Sequence, residues 1–245
     1  MHVVYHPRFT EVYDADPAAA RGRIEAVLEE LQDRYPFVEP EPATEADILL
    51  VHLPEHLERV KRRPDIYEMA LLAAGGAIKA AELAVQGEPA FGLIRPPGHH
   101  AGPNSCWGFC WFNNVAIAVE KLRKQGHIKK AFVIDFDLHY GDGTAKIFSN
   151  NPDVDYCHLS GQMRESVIRQ LKVCLERNSD AELIAVSAGF DNHEADWGGL
   201  LKTEDYTTIA SMVKTRKVPV FGVLEGGYNH RVLGKNVVAF LAGLA

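Results

Sequence analysis

Four continuous apolar runs predict strands that are buried on both faces, because half-buried strands would alternate polar and apolar residues. The runs cover residues 90–94, 131–134, 183–186 and 218–224. Residues with helical spacing lie between and after them, at about 112–125, 162–177, 203–214 and from about 231. Strands that alternate with helices in this way indicate an α/β fold with a mainly parallel central sheet, covered by helices on both faces.

The first part of the chain predicts one more strand and two helices. Residues 1–5 form a short apolar run, and Asp16 before Pro17 is typical of a helix start. Helical spacing then predicts an amphipathic helix whose buried face carries Ile24, Val27, Leu28 and Leu31. A long alanine-rich helix is expected over residues 66–86, where the Gly75-Gly76 pair is costly unless it permits close packing.

The chain shows no boundary between domains. Residues 36–42 are proline-rich but too short for a domain linker, and the sequence has no internal repeat or low-complexity stretch. An α/β chain of 245 residues commonly forms one domain with a full core. We therefore expect a single domain over residues 1–245.

Polar, glycine-containing clusters follow the four predicted strands at the point where each strand ends. The clusters are residues 95–100, 135–143, 187–191 and 225–229. In a parallel α/β sheet the carboxyl ends of the strands lie on one edge, and such folds build their sites there. Four titratable clusters arriving at one edge predict an active site.

The second cluster has the composition of a metal site. Asp135, Asp137 and His139 are two residues apart, so an extended backbone points all three to the same face. Two neighbouring carboxylates repel each other in a low dielectric unless a cation lies between them. Asp191, after the next strand, can supply a further ligand. Two carboxylates, one imidazole and a position for water predict catalytic Zn²⁺, and Fe²⁺, Mn²⁺ or Co²⁺ would also be accepted. Capping of strand ends is the structural alternative, but it requires no histidine at this spacing.

Other residues of the clusters can move protons. His99 and His100 follow two prolines and a glycine, and an imidazole near a metal can accept a proton from water and return it to a leaving amine. Asp135 and Asp142 are candidates for orienting these two rings. The hydroxyl of Tyr228 could donate to an oxyanion, although a Gly-Gly-Tyr stretch alone is equally typical of a turn.

Composition narrows the range of partners. Lys and Arg number 26 against 33 Asp and Glu, which gives a formal charge of −7. This balance argues against direct binding of nucleic acid and is compatible with a cationic substrate. The sequence has no run of about 20 apolar residues and no signal-peptide pattern, so we expect a cytoplasmic protein with no membrane partner. The cysteines at positions 106, 110, 157 and 174 form no Cys-x-x-Cys motif and are expected to be reduced.

Five blocks, taken together, resemble the histone deacetylase superfamily, which includes zinc-dependent lysine deacetylases, acetylpolyamine amidohydrolases and acetoin-utilisation proteins. They are RPPGHHA (95–101), GFCWFNN (108–114), DFDLHYGDGT (135–144), SAGFD (187–191) and LEGGYN (224–229). The resemblance implies an arginase-like three-layer α/β/α sandwich. It also implies hydrolysis of an N-acetyl or other acyl amide on lysine or a polyamine.

The resemblance also assigns roles to individual residues. It implies that the zinc ligands are Asp137, His139 and Asp191. It implies a general base and acid at His100, an electrostatic partner at His99, histidine-orienting acids at Asp135 and Asp142, and an oxyanion donor at Tyr228. Gly108 and Phe109 fall on the substrate-binding position, with Phe109 as an aromatic wall of the acyl-lysine channel. Hydrophobicity alone would assign Phe109 to the core.

The sequence departs from the family at a glycine-rich loop. Family members usually carry a long loop after the strand that follows the metal motif, and this loop supplies the opposite aromatic wall and helps to bind a structural K⁺. Here residues 156–161 pass almost directly into a predicted helix. Either the protein has a naturally short connection and a wide site, or a loop is absent from the sequence. A further departure, Tyr140 in place of a second histidine, affects no expected ligand.

Two other functions are compatible with the same blocks. The first is a metal-dependent binding or regulatory module that has lost turnover, against which the intact His99, His100 and Tyr228 argue. The second is a ureohydrolase-like reaction, which would need a two-metal Asp-x-His-x-Asp run. Residue 141 is glycine rather than aspartate, so this reaction ranks lowest.

Overall fold

The computed structural model describes residues 1–31 and 33–245. Its described residues form one seven-stranded sheet in the order β2-β1-β3-β7-β6-β4-β5, in which every neighbouring pair is parallel. The strands are β1 (His2–Val4), β2 (Phe37–Val38), β3 (Ala90–Gly92), β4 (Ala131–Asp135), β5 (Val154–His158), β6 (Leu183–Ala188) and β7 (Val220–Leu224). The predicted parallel sheet is confirmed, and strands β3, β4, β6 and β7 are buried along their whole length.

Helices complete a three-layer α/β architecture. They are α1 (Arg23–Leu31), α2 (Glu45–Ile48), α3 (Pro54–Lys61), α4 (Pro64–Val85), α5 (Asn114–Lys124), α6 (Asp142–Phe148), α7 (Arg164–Arg177), α8 (Thr203–Lys214) and α9 (His230–Leu244). Helix α4 packs on α5 and on strands β1, β3 and β7, whereas α9 packs on α1 and α8. The helices expected from periodicity are confirmed within a few residues of their predicted bounds. The predicted helix start at Asp16 is wrong for α1, because Asp16 caps a short 3₁₀ helix (Pro17–Ala19) and α1 begins only at Arg23. Strands β2 and β5 and helices α2, α3 and α6 were not predicted from periodicity.

The Gly75-Gly76 pair lies where another segment crosses helix α4. A Cβ atom on Gly75 would lie 1.9 Å from the carbonyl oxygen of Glu41, and one on Gly76 would lie 2.6 Å from Cγ2 of Ile94. The backbone N–H of Ala43 donates to the carbonyl oxygen of Leu71 on the same helix, at 2.9 Å. The predicted reason for two glycines inside a helix, close packing, is therefore confirmed.

One expectation about the cysteines is wrong. Cys157 on β5 and Cys174 on α7 form a disulfide, with their Cα atoms 6.6 Å apart, whereas Cys106 and Cys110 are free thiols. Helix α7 begins soon after β5 and folds back beside it, since Gln170 donates to the carbonyl oxygen of His158 at 2.8 Å. This return of the chain brings the two sulfurs together, and their spacing in the sequence carries no sign of it.

Removing the disulfide is expected to lower the stability of the oxidised protein. The bond closes a loop with a sequence separation of 17 residues. A loop of this size is expected to contribute about 3 kcal/mol, chiefly by restricting the unfolded chain. Denaturant unfolding without reductant should show this decrease for Cys174→Ser, while wild type and variant should unfold alike in reductant. Four free thiols in denatured, unreduced wild type would contradict the pairing.

Among residues 1–31 and 33–245, no helix is both long enough and apolar enough to cross a bilayer.

Candidate metal centre and active site

The carboxyl ends of four adjacent strands place the predicted site residues side by side. In the sheet order β3-β7-β6-β4, these strands are consecutive neighbours. Chain segments that follow them carry His99 and His100, Tyr228, Asp191, and the run from Asp135 to His139. The sequence predicted a shared edge, and the topology makes the four clusters immediate neighbours on it.

Asp137, His139 and Asp191 converge on one point. The Nδ1 atom of His139 lies 3.2 Å from Oδ1 of Asp137 and 3.1 Å from Oδ2 of Asp191. One candidate ligand atom from each residue lies within 4.8 Å of the other two. The two carboxylates are buried, and Oδ2 of Asp191 has no hydrogen-bond partner in the part of the chain that the structure describes. Two buried carboxylates, a shared imidazole and an orphaned oxygen fit a divalent cation such as Zn²⁺.

Electrostatics within this cluster also favour a cation. Burial raises the pKa of Asp191 and the charge on Asp137 raises it further, to about 6. The carboxylates of Asp137 and Asp191 raise the pKa of His139 to about 10, although burial opposes this shift. Burial also opposes the charge on Asp137, yet the neighbouring His99 and hydrogen bonds from His139 lower the pKa of that carboxyl. The centre is therefore a buried concentration of negative charge that stabilises positive charge at its middle.

Backbone groups hold the two carboxylates in place. Asp137 accepts hydrogen bonds from the N–H groups of His139 and Gly226, both at 2.9 Å, and Asp191 accepts one from the N–H of Leu138 at 2.9 Å. A Cβ atom at Gly226 would lie 2.5 Å from Oδ2 of Asp137. Only glycine lets the chain after β7 approach the carboxylate this closely. These contacts orient the candidate ligands before any ion binds.

Two histidine–carboxylate pairs lie beside the metal centre. His99 Nδ1 is 3.0 Å from Oδ2 of Asp135, and His100 Nδ1 is 2.7 Å from Oδ1 of Asp142. The two imidazole rings are in contact, with centroids 4.0 Å apart and planes tilted by 42°. The Tyr156 hydroxyl donates a further hydrogen bond to Oδ2 of Asp135, at 2.9 Å. Each carboxylate engages the Nδ1 of its ring. Nε2 of His99 lies 3.8 Å from Oδ1 of Asp137, whereas Nε2 of His100 makes no hydrogen bond among the described residues.

The two histidines have opposite protonation behaviour. Burial opposes a charge on His99, but the nearby carboxylates of Asp137 and Asp135 outweigh it and raise its pKa well above the usual value. Burial lowers the pKa of His100, and the charge of His99 lowers it further, to about 4. The carboxylates therefore favour the protonated form of His99, whereas His100 favours the neutral form, which can accept a proton.

A cavity of about 270 Å³ connects these groups. Its lining consists of Pro97, His99, His100, Trp107, Gly108, Phe109, His139, Trp197, Gly226 and Tyr228. The ring of Phe109 meets that of Tyr228 edge to face, with centroids 5.9 Å apart. Gly108 lies against the His100 ring, since a Cβ atom there would be 2.5 Å from Cδ2 of His100. The structure therefore places Gly108, Phe109 and Tyr228 around the same space as the metal centre and the histidines.

Two tryptophans of this cavity were not identified from the sequence. The indole N–H of Trp107 donates to both carboxylate oxygens of Asp142, at 3.0 and 3.1 Å, and its ring lies 3.8 Å from that of His100. The ring of Trp197 stacks on Tyr228 at 4.0 Å. Both indoles are more than half exposed, at 54% and 53%. The position of Trp107 directly before Gly108 is the one sequence feature that could have indicated a role.

A second group of potential ligands lies deeper in the protein. Candidate atoms of His99, Cys110 and Glu225 are also within 4.8 Å of one another, and all three residues are buried. Glu225 Oε2 already accepts hydrogen bonds from the backbone N–H groups of Gly98 and His99, at 2.6 and 3.2 Å. His139, by contrast, is partly exposed and lines the cavity, so an ion can reach its cluster. The Asp137–His139–Asp191 cluster is therefore the better metal site.

The short connection after β5 is closely hydrogen-bonded to the site. The Nε2 atom of His158 is 2.9 Å from the carbonyl oxygen of Asp137, and the N–H of Leu159 donates to the carbonyl oxygen of Asp135 at 2.7 Å. Residues 159–163 alone separate β5 from α7. A structural K⁺ near this connection stays a prediction.

Comparison with known proteins identifies the class to which this α/β fold and its site belong. Residues 18–166, more than half of the chain, match the family model of the histone deacetylase domain. The chain therefore belongs to the histone deacetylase family, and the resemblance drawn from its motifs is confirmed. The crystal structure of the HDA15 HD domain has the same fold, with a TM-score of 0.88 at 23% identity over 100% of this chain and 90% of that one.

Curated relatives have hydrolase names. The chain is 32% identical to a probable deacetylase of Methanothermobacter thermautotrophicus, over 91% of this chain and 84% of the relative. It is also 32% identical to the acetylpolyamine amidohydrolase of Mycoplana ramosa, over 74% of this chain and 64% of the relative. The chain thus spans less than two thirds of the latter protein. Together with the family match, these relatives support hydrolytic deacetylation in general.

A third relative has segments that this chain lacks. A probable deacetylase of Archaeoglobus fulgidus aligns at 36% identity over 300 residues, covering 93% of this chain and 81% of the relative. The alignment is longer than the 245 residues of this chain, so the relative has residues without a counterpart here.

Proposed function

We propose that this protein is a metal-dependent amidohydrolase that removes an acetyl or other acyl group from the amine of lysine or of a polyamine. Zn²⁺ is the expected ion, and Fe²⁺, Mn²⁺ or Co²⁺ would suit the same ligands. One observation carries the proposal. One cavity is lined by His139 of the Asp137–His139–Asp191 cluster, by the histidine pair and by Tyr228.

The metal would be held by Asp137, His139 and Asp191. When bound there, a divalent ion polarises an amide carbonyl and lowers the pKa of a water molecule. His100 is neutral at pH 7 and has its Nδ1 engaged by Asp142, so Nε2 is the atom that accepts the proton of the attacking water. The same nitrogen then returns the proton to the leaving amine.

Two further residues stabilise charge as the amide is attacked. The Tyr228 hydroxyl makes no hydrogen bond within residues 1–31 and 33–245, and burial raises its pKa, so it remains a neutral donor. In the proposed reaction it donates to the carbonyl oxygen as that oxygen becomes negative. His99, held by Asp135, supplies fixed positive charge beside His100.

The cavity walls suit an acyl group on an alkylamine. Phe109 and the two tryptophans provide apolar aromatic surface that can contact the methylene chain of the substrate. The net charge of −7 favours the approach of a substrate with a free ammonium group. Both features support acylated lysine and acylated polyamine equally.

A panel of acyl amides tests the proposal. Metal-free protein reconstituted with Zn²⁺ should hydrolyse at least one acetylated or longer-chain acylated lysine peptide or polyamine, and a chelator should abolish the activity. Tyr228→Phe, purified in parallel, controls for contaminating enzymes and should lower kcat by about 10²–10³-fold while keeping its zinc. Stoichiometric metal with no turnover of any panel member would instead favour a binding or regulatory module.

A further inference from the structure

The phenol ring of Tyr228 lies on a loop that needs external support. Gly226 and Gly227 precede it, and Gly227 has a φ of +117°, a conformation that glycine adopts readily. Side chains from other parts of the chain surround the ring. Trp197 stacks on it with an interplanar angle of 24°, Phe109 contacts its edge, and the Arg23 guanidinium lies 5.4 Å from its centroid.

The residue before Trp197 binds the backbone of the same loop. Oδ2 of Asp196 accepts hydrogen bonds from the N–H groups of Tyr228 and Asn229, at 2.8 and 2.7 Å. The Asn229 side-chain amide donates in return to the carbonyl oxygen of Ala195, at 2.6 Å. Residues 195–197 therefore contact Tyr228 through its backbone and its ring together.

Backbone hydrogen bonds hold the segment that carries Trp197. The N–H of Gly198 donates to the carbonyl oxygen of Asp191 at 2.8 Å, and that of Leu201 donates to Asn192 at 2.8 Å. The N–H of Glu194 donates back to Leu201 at 2.6 Å. These bonds close residues 191–201 into a compact excursion from the end of β6, so the indole has a fixed base.

We propose that Trp197 is a positioning residue for Tyr228 and also the second aromatic wall of the cavity, beside Phe109. This inference rests on the proposed function for the meaning of Tyr228. One indole face stacks on the phenol and keeps its hydroxyl directed into the cavity. The exposed remainder of the ring, over half of the residue, is free to contact the alkyl chain of a substrate. Other family members use the loop after β5 for the second aromatic wall. That loop is short here, and Trp197 provides the wall instead.

Fluorine NMR can test the positioning role without any turnover. The protein has 8 tyrosines, all of which can be labelled with 3-fluorotyrosine. The fluorine resonance that is present in wild type and missing from Tyr228→Phe belongs to Tyr228. Trp197→Ala should shift or broaden this resonance, because the stacked ring current is lost and the phenol gains freedom. Trp197→Phe, which can still stack, should restore a single sharp line. Trp111→Phe is the matched control, since Trp111 does not line the cavity, and should leave the resonance unchanged.

Kinetics then separate positioning from a general loss of structure. We expect Trp197→Ala to lower kcat by about 3- to 10-fold, the range of one aromatic pair. Trp197→Phe should recover most of kcat, and both variants should retain their zinc. A Tyr228 resonance that is unchanged in Trp197→Ala, or equally altered in Trp197→Phe, overturns the inference. An absence of turnover in every protein would refute the proposed function, whereas the NMR result would still decide the position of Tyr228.

Discussion

Asp191→Asn is expected to abolish stoichiometric zinc binding and to lower amide hydrolysis by more than about 100-fold. Loss of a residue that merely supports a metal ligand costs up to about 100-fold, so loss of a ligand should cost more. Among the described residues Oδ2 of Asp191 has no hydrogen-bond partner, and it faces the His139 imidazole, so it is the oxygen available to an ion. Asparagine keeps an acceptor for the N–H of Leu138, and the variant should therefore fold.

Metal content and thermal unfolding measure this effect. Zinc binding should raise the melting temperature of wild type, because a ligand at 1,000 times its Kd adds about 4 kcal/mol to folding stability. The same addition should leave Asp191→Asn unchanged. Asp180→Asn is a matched control, since Asp180 is an exposed partner of Lys130 and such pairs contribute little. One equivalent of tightly bound zinc in Asp191→Asn would refute the assignment of this ligand.

His100→Asn is expected to lower kcat by about 10²–10⁴-fold at unchanged zinc content, because no other neutral imidazole is placed to shuttle the proton. Asparagine can still contact Asp142 but cannot accept a proton from water. The ring lies between His99 and Trp107, with centroids 4.0 and 3.8 Å away, so the replacement also leaves some space there.

Steady-state rates of zinc-loaded protein test this effect on the preferred substrate. The exposed His127 offers a control of the same chemistry, and His127→Asn should retain wild-type kcat. A kcat of His100→Asn within threefold of wild type would rule out His100 as the proton carrier.

The fold could be predicted from the sequence because its signals are local and repetitive. Four buried apolar runs and the helices between them define a parallel sheet without any knowledge of tertiary contacts. Short elements escaped prediction for the opposite reason. Helix α6 begins at Asp142 inside a glycine-containing cluster that resembles a loop, and β2 comprises two residues in a proline-rich stretch. Their conformations depend on neighbouring elements rather than on their own periodicity.

The candidate ligands were accessible to sequence reasoning because Asp137 and His139 share one extended segment. The supporting aromatic residues were not accessible. Trp197 contacts Tyr228 only because residues 191–201 fold against the loop after β7. The two residues are 31 positions apart in the sequence, and no motif links them. The pairing of Cys157 with Cys174 likewise depends on how α7 returns along β5. In each case the missing information is a tertiary contact between segments without a shared pattern.

The segment that follows β6 carries three residues with different roles in one short stretch of chain. Asp191 faces the metal centre, Asp196 binds the Tyr228 backbone and Trp197 forms the wall, all within seven residues of sequence. An insertion or deletion in this stretch would therefore disturb the ion site, the oxyanion donor and the wall together. Efforts to broaden the range of accepted acyl chains should begin at Phe109, whose side chain is carried by a separate segment.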